Sequence, residues 1–222
     1  MSPRGKQENL RQLTRERDQL VQMRTMAKNQ LHAEQAEAEP NPGSVTRIKQ
    51  QIVFLNKQEM EIKKELLALS KQDTQVQQSV KLLCTITGVG LLTATTVLAE
   101  TNGFELIRNK RQLTSYAGLD VKEKQSGTSV KGKAHISKRG NRYLRKAMHL
   151  PALAAIRHDD RFKAIFARLV SKHGIKMKAV VAVQRKLLEM MYIIYKNNTP
   201  YDKKYLQRND VEEQINTGGL KN

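Results

Sequence analysis

"VKLLCTITGVGLLTATTVLAE", residues 80–100, is apolar on both sides of Thr87-Gly88-Val89-Gly90. Two glycines around a β-branched residue, with small residues following, predict a helix-hairpin-helix element. Gly88 and Gly90 let two backbones approach, and Val89 plugs the gap between the helices. A new helix then starts near Leu91 and offers its free N–H groups to a phosphate. Contacts of that kind hold DNA without reading its sequence. A glycine-rich turn between two core helices carries the same pattern. It is not a mononucleotide P-loop, because no Gly-Lys-Ser/Thr follows the glycines.

Toward the N-terminus the periodicity changes. Leu10, Leu13, Leu20, Ala27 and Leu31 fall on a heptad seam that Arg17 and Arg24 interrupt. "EPNPGS" at 39–44 breaks the helix with two prolines and a glycine. Ile48, Ile52, Leu55, Ile62, Leu66 and Leu69 then set a second seam, and the short break predicts an antiparallel coiled-coil hairpin. The acids of residues 1–80 are expected on solvated helix faces, mostly beside Lys or Arg. The stripe suits either a dimerisation arm that packs on another chain or a hairpin packed on its own domain.

Toward the C-terminus, residues 109–116 predict a short helix ending at Gly118, and a basic loop follows. Helices are then expected over 140–157, 159–172 and 176–197. Pro151 should kink or break the first, and Asp159 and Asp160 suit the start of the second. Val180, Val181, Val183, Leu187, Leu188, Met191, Ile194 and Tyr195 give the third a broad apolar face. The fold class is therefore all-α, a coiled-coil hairpin followed by a helical domain with a helix-hairpin-helix. The expected divisions are 1–75, 76–202 and a frayed tail at 203–222.

The 222 residues carry a formal charge of +19, unevenly placed. Residues 1–80 hold 13 basic and 10 acidic side chains, whereas 81–222 hold 27 and 11, a net +16. So one-sided a field attracts a polyanion, and nucleic acid is the partner it indicates. An anionic membrane surface suits it less, since no segment sets a Lys/Arg face opposite a bulky aromatic one. The lone Cys84 excludes an internal disulfide and a cysteine-based zinc site. No apolar run reaches ~18 residues and the N-terminus lacks a signal-peptide core, so a cytoplasmic protein without a membrane span is expected.

The loop "QSGTSVKGKAHISKRGNRYLR", 125–145, contains no carboxylate. Lys131, Lys133, Lys138, Arg139, Arg142 and Arg145 can hold a phosphodiester and offset the charge that builds on it in an in-line displacement. Ser126 precedes Gly127, so a tight turn can expose its hydroxyl for attack on phosphorus. A Ser-Gly in a basic loop is also an ordinary turn, and Ser129 and Ser137 are equal candidates on chemistry alone. Ser137 suits a helix cap or a phosphate contact better. His135 is placed to touch a phosphate or assist proton transfer, and His149 to pack. His158-Asp159-Asp160 suits capping better than metal binding.

The blocks "ITGVGLLTATTVLAE", "LTSYAGLDVKEKQSGTSVKGKAHISKRGNRYLRKAMHLPALAAIRHD" and "AVQRKLLEMMYIIYKNNTPYD" lie within residues 80–202. In that order and spacing they resemble the C-terminal transposase domain of the insertion-sequence one-ten family, which includes Piv-type DNA invertases. The resemblance implies DNA as partner, strand cleavage and exchange as activity, and the serine before the glycine, Ser126, as nucleophile. It extends to the coiled-coil segment as a dimerising region, so a homo-oligomer is expected. The family also carries an N-terminal RuvC-like domain with four acidic metal ligands and, in much of it, a structured guide RNA. Residues 1–80 read as heptads rather than strands with buried aspartates, so no metal ligand carries over. No cofactor is expected in this chain, and a divalent metal only together with that domain. The alternative function is a catalytically silent nucleic-acid-binding protein that dimerises with a full-length transposase.

Overall fold

The computed structural model describes residues 3–122, 125–126, 130–131 and 135–203, with side chains over 7–121 and 135–203. In chain order the helices are α1 (Pro3–Gln35), α2 (Pro42–Gln72), α3 (Thr74–Leu83), α4 (Leu91–Thr101) and α5 (Lys110–Tyr116). Four two-residue strands follow: β1 (Val121–Lys122), β2 (Gln125–Ser126), β3 (Val130–Lys131) and β4 (His135–Ile136). The chain then continues through α6 (Arg142–Ala147), α7 (His149–His158), α8 (Asp160–His173) and α9 (Lys176–Asn197). The fold is all-α with one small β-hairpin. Among the described residues no helix is long and apolar enough to cross a membrane. The tail expected at 203–222 lies outside the described residues beyond Lys203.

Contacts group the chain into two units, Met1–Val80 with Leu91–Ile107, and Lys81–Gly90 with Arg108 onward. Within the first unit α4 packs on α1.

In the first unit α1 and α2 form an antiparallel helical hairpin, since Arg17 pairs with Glu59 and the later Arg24 with the earlier Asn56. Asn41 caps α2 by accepting from the Gly43 and Ser44 amides, and Pro42 occupies the first turn, where its missing N–H costs nothing. Leu10, Leu20, Ala27, Ile48, Leu55, Ile62 and Leu66 are buried in the seam. Those side chains are therefore already used within the chain, and α1 also finds α4, with Arg15 donating two hydrogen bonds to the buried Glu100 at 2.7 and 2.8 Å.

Glu59 corrects the expectation that the acids of this segment are solvated. It stands among the leucines of α2, 3% exposed. Arg17 and Arg24, the two breaks in the heptad pattern of α1, both reach it, together with Lys63 at 2.8 Å. Burial pushes its carboxyl upward, but hydrogen bonds from Lys63, Arg17 and Arg24 outweigh that and hold its pKa at about 2.

In the second unit α9 is the central helix, packing on α5, α7 and α8. It buries Ala179, Val180, Val183, Leu187, Leu188, Met191 and Ile194 at helical spacing. The helix expected over 140–157 divides at Met148, which closes α6 and opens α7, so that Pro151 falls in a first helical turn where it is tolerated. Asp159 caps α8 through the Arg161 amide and accepts from the Tyr201 hydroxyl at 2.9 Å. The Tyr201 amide donates to Thr85 Oγ1 at 2.8 Å, so the segment after α9 is fastened at two points. Burial and the Asp159 carboxylate push the Tyr201 phenol up to about 12.

Because the folded Glu59 carboxyl titrates below its ordinary value of 4.5, its contribution is complete above that pH and is lost as pH falls toward about 2. The depression corresponds to about 3 kcal/mol. Glu59→Gln should therefore be less stable than wild type near neutrality by an amount of that order. The gap should close between pH 4.5 and 2 when denaturant unfolding is followed by circular dichroism.

Candidate nucleic-acid interface

The segment expected as a basic loop is an antiparallel β-hairpin. Val121 pairs with Ile136 and Lys122 with His135, while Gln125 pairs with Lys131 and Ser126 with Val130. Two residues separate the ladders on the outgoing arm and three on the returning arm, so the register shifts by one. Ser126 pairs with Val130, and Lys131 stands one rung away across from Gln125. The side chains of Ser126 and Lys131 lie outside the described ones, as do Ser129 and Lys133.

The base of the hairpin is described in full. The Ser137 amide donates to the Asp120 carbonyl at 2.8 Å, and its hydroxyl donates to the Asp120 carboxylate. Lys138 N donates to Gly118 O at 3.1 Å, and Asn141 N to Tyr116 O at 2.7 Å. Ser137 therefore ties the two arms together rather than capping the next helix. Asn141 takes the cap of α6, accepting from the Leu144 amide at 3.0 Å. Gly140 has φ +136, and a Cβ there would lie 2.4 Å from the Tyr116 carbonyl oxygen. Only glycine lets the turn close on the end of α5. Lys138 is held in the left-handed region at φ +52, a strain the surrounding backbone bonds hold in place.

Three cations expected to meet DNA, Lys138, Arg139 and Arg142, are exposed at this base. Arg142 lies over the Tyr143 ring, 5.2 Å from its centroid. Arg145 is half-buried and donates from Nη1 to the Ala117 carbonyl at 2.9 Å, which secures the turn after α5. His149 is half-buried, with Nδ1 2.8 Å from Gln184 Nε2.

The glycines at 88 and 90 have different surroundings. Gly88, at φ +88, faces α7: a Cβ there would lie 2.5 Å from the Pro151 carbonyl oxygen and 3.1 Å from Ala154 Cβ. Val89 is buried beside it, and nothing lies within 4 Å of a Cβ at Gly90. The close approach that the sequence indicated is thus made at Gly88, to the backbone of α7.

Residues 80–167 match the family described as Transposase IS116/IS110/IS902. The pilin gene-inverting protein of Moraxella bovis is 30% identical over 131 residues, 59% of this chain and 41% of that protein. Its counterpart in Moraxella lacunata is 32% identical over 124 residues, 55% and 38% of the two chains. The insertion element IS110 uncharacterized 43.6 kDa protein of Streptomyces coelicolor is 29% identical over 121 residues, 54% and 30%. The chain spans about two fifths of the length of the two inverting proteins it matches.

Gly140→Ala should destabilise the second unit by about 2–3 kcal/mol through the clash with Tyr116 and the unfavourable φ. Gly90→Ala should cost no more than ~0.5 kcal/mol. Guanidinium unfolding of the two variants side by side measures the difference.

Proposed function

We propose, from the match of residues 80–167 to the family described as Transposase IS116/IS110/IS902, that this chain acts in DNA transposition or inversion, and that Ser126 is the nucleophile. The observation that carries the reading is the position of Ser126 on the last rung of a hairpin whose base is bolted to α5 and flanked by exposed Lys138, Arg139 and Arg142. In the step proposed, Ser126 Oγ gives up its proton as it bonds to phosphorus. The bond from phosphorus to the leaving strand oxygen breaks, and that oxygen takes a proton. The phosphoserine ester keeps the energy of the broken strand for rejoining. The cations offset charge on the non-bridging oxygens as it grows, and Lys131 and Lys133 are proposed to add to the field. Gly88 and Gly90 are proposed to hold duplex backbone.

A serine hydroxyl needs activation at neutral pH. Among the described residues no group of three or more His, Cys, Asp or Glu stands together to bind a metal ion. The buried acids are engaged: Glu59 by Arg17, Arg24 and Lys63, Glu100 by Arg15, and Asp159 by the Arg161 amide and Tyr201. We propose that activation comes from a RuvC-like acidic domain, as the family resemblance implies. Self-association is proposed through the outer face of α2, where Val53, Phe54 and Met60 are exposed. A structured RNA would draw on the same positive field as DNA.

With that domain supplied in trans, wild-type chain should form a covalent adduct with a suicide DNA substrate, and Ser126→Ala should form none while binding DNA as before. An adduct that persists in Ser126→Ala and is lost in Ser129→Ala moves the nucleophile to Ser129. Cleavage by residues 1–222 unaided overturns the need for a second domain. Each phosphate neutralised adds about −0.9 to the slope of log K against log salt on duplex DNA. Replacing Lys138, Arg139 and Arg142 with Gln should therefore flatten that slope, read by fluorescence anisotropy.

A further inference from the structure

Beside the hairpin base lies a cavity of about 190 Å³ between β1, β4, α8 and α9. Its floor is aliphatic, with Ile136, Leu169 and Ala182. Its rim carries His135, His173, Lys178 and Arg185, and no Asp or Glu lines it among the described residues. Lys178, Ala182 and Arg185 follow one another at i, i+4 and i+7, so a single stripe of α9 offers cation, floor and cation in turn. The Arg185 guanidinium is steadied by Glu189 Oε1 at 3.1 Å.

The volume is below the ~300 Å³ at which drug-sized ligand pockets begin, and suits one planar ring system. The chemistry is equally selective. A flat apolar face fits the floor, and an attached anion fits the rim. An unstacked nucleotide combines the two, since flipped bases are received between apolar side chains while donors read their edges and phosphate. An apolar peptide side chain would use the floor and make no use of the positive charge of Lys178 at the rim. The first ladder of the hairpin forms one wall, so an occupant here lies against the element that ends at Ser126.

We propose that this cavity receives one extrahelical nucleotide of the bound DNA, with its base against Leu169 and Ala182 and its phosphate among His173, Lys178 and Arg185. The inference rests on the DNA-handling role proposed above and adds a base-accepting site to it. Extruding a base costs unstacking energy, and a nucleotide already bulged out of a duplex has met that cost.

Three duplexes test it by fluorescence anisotropy: fully paired, with one bulged nucleotide, and with the same bulge lacking its base. The base should tighten binding by about tenfold over the abasic bulge, a difference near 1.4 kcal/mol. Ala182→Phe, which fills the cavity, and Lys178→Glu, an exposed change that spares the fold, should each bring that ratio toward one. For Ala182→Phe, affinity for the paired duplex should stay within about twofold. Equal binding of the two bulged duplexes by wild type overturns the pocket while leaving the DNA role standing, as does a ratio that both variants preserve. Failure to bind any of the three overturns the DNA role and the pocket together.

Discussion

The backbone bonds that lock residues 116–120 to residues 137–141 are the constraint on which the rest of the candidate site depends. Two-residue ladders are too short to hold a hairpin in place by themselves. Here the hairpin emerges from a junction in which Tyr116 O, Gly118 O and Asp120 O each accept a hydrogen bond from a backbone amide of residues 137–141. The junction is itself seated on buried Leu113, Ala117 and Leu119 and on the carbonyl that Arg145 engages. The described base of this basic stretch is thereby fixed to the end of α5. Positioning before charge is the usual order in phosphoryl chemistry, because a displaced nucleophile loses rate however strong the field around it.

Much of the scaffold was legible in the sequence because the signals were local. Leu10, Leu20, Ala27, Ile48, Leu55, Ile62 and Leu66 announce a two-helix seam, and all are buried. Pro151 marks the division near Met148, and Asp159 the start of α8. What escaped was mostly non-local. The Arg17 and Arg24 breaks read as flaws in a heptad until Glu59, more than 30 residues away, is set opposite them. A seam arginine requires a carboxylate across the seam, and that rule applied to the sequence would have pointed to α2. Gly88 announced a close approach without naming α7 as the partner.

The β-hairpin was hidden for a different reason. Val121, Val130 and Ile136 are β-branched residues in a stretch otherwise dominated by Lys, Gly and Ser, so alternation never rises above the charge pattern. Ser137 looked like the natural cap because it precedes a helix, yet Asn141 stands nearer and takes the task, which frees Ser137 to join the arms. The candidate nucleophile itself came from a resemblance, and its backbone position on the final rung is what the fold adds.

The acid in the hairpin seam has a consequence for how the arm selects among alternative alignments. Leucine seams are permissive: sliding one helix past the other by a heptad keeps oil against oil at little cost. Glu59 removes that freedom. A slipped hairpin would part Glu59 from Arg17 and Arg24 and leave it only Lys63 of its own helix, a penalty that a purely aliphatic seam does not impose. The alignment thus becomes discrete rather than graded, as a single polar residue does in other helical seams. The charge cluster therefore fixes the register of α1 against α2 within the chain, before shape or hydrophobicity is consulted.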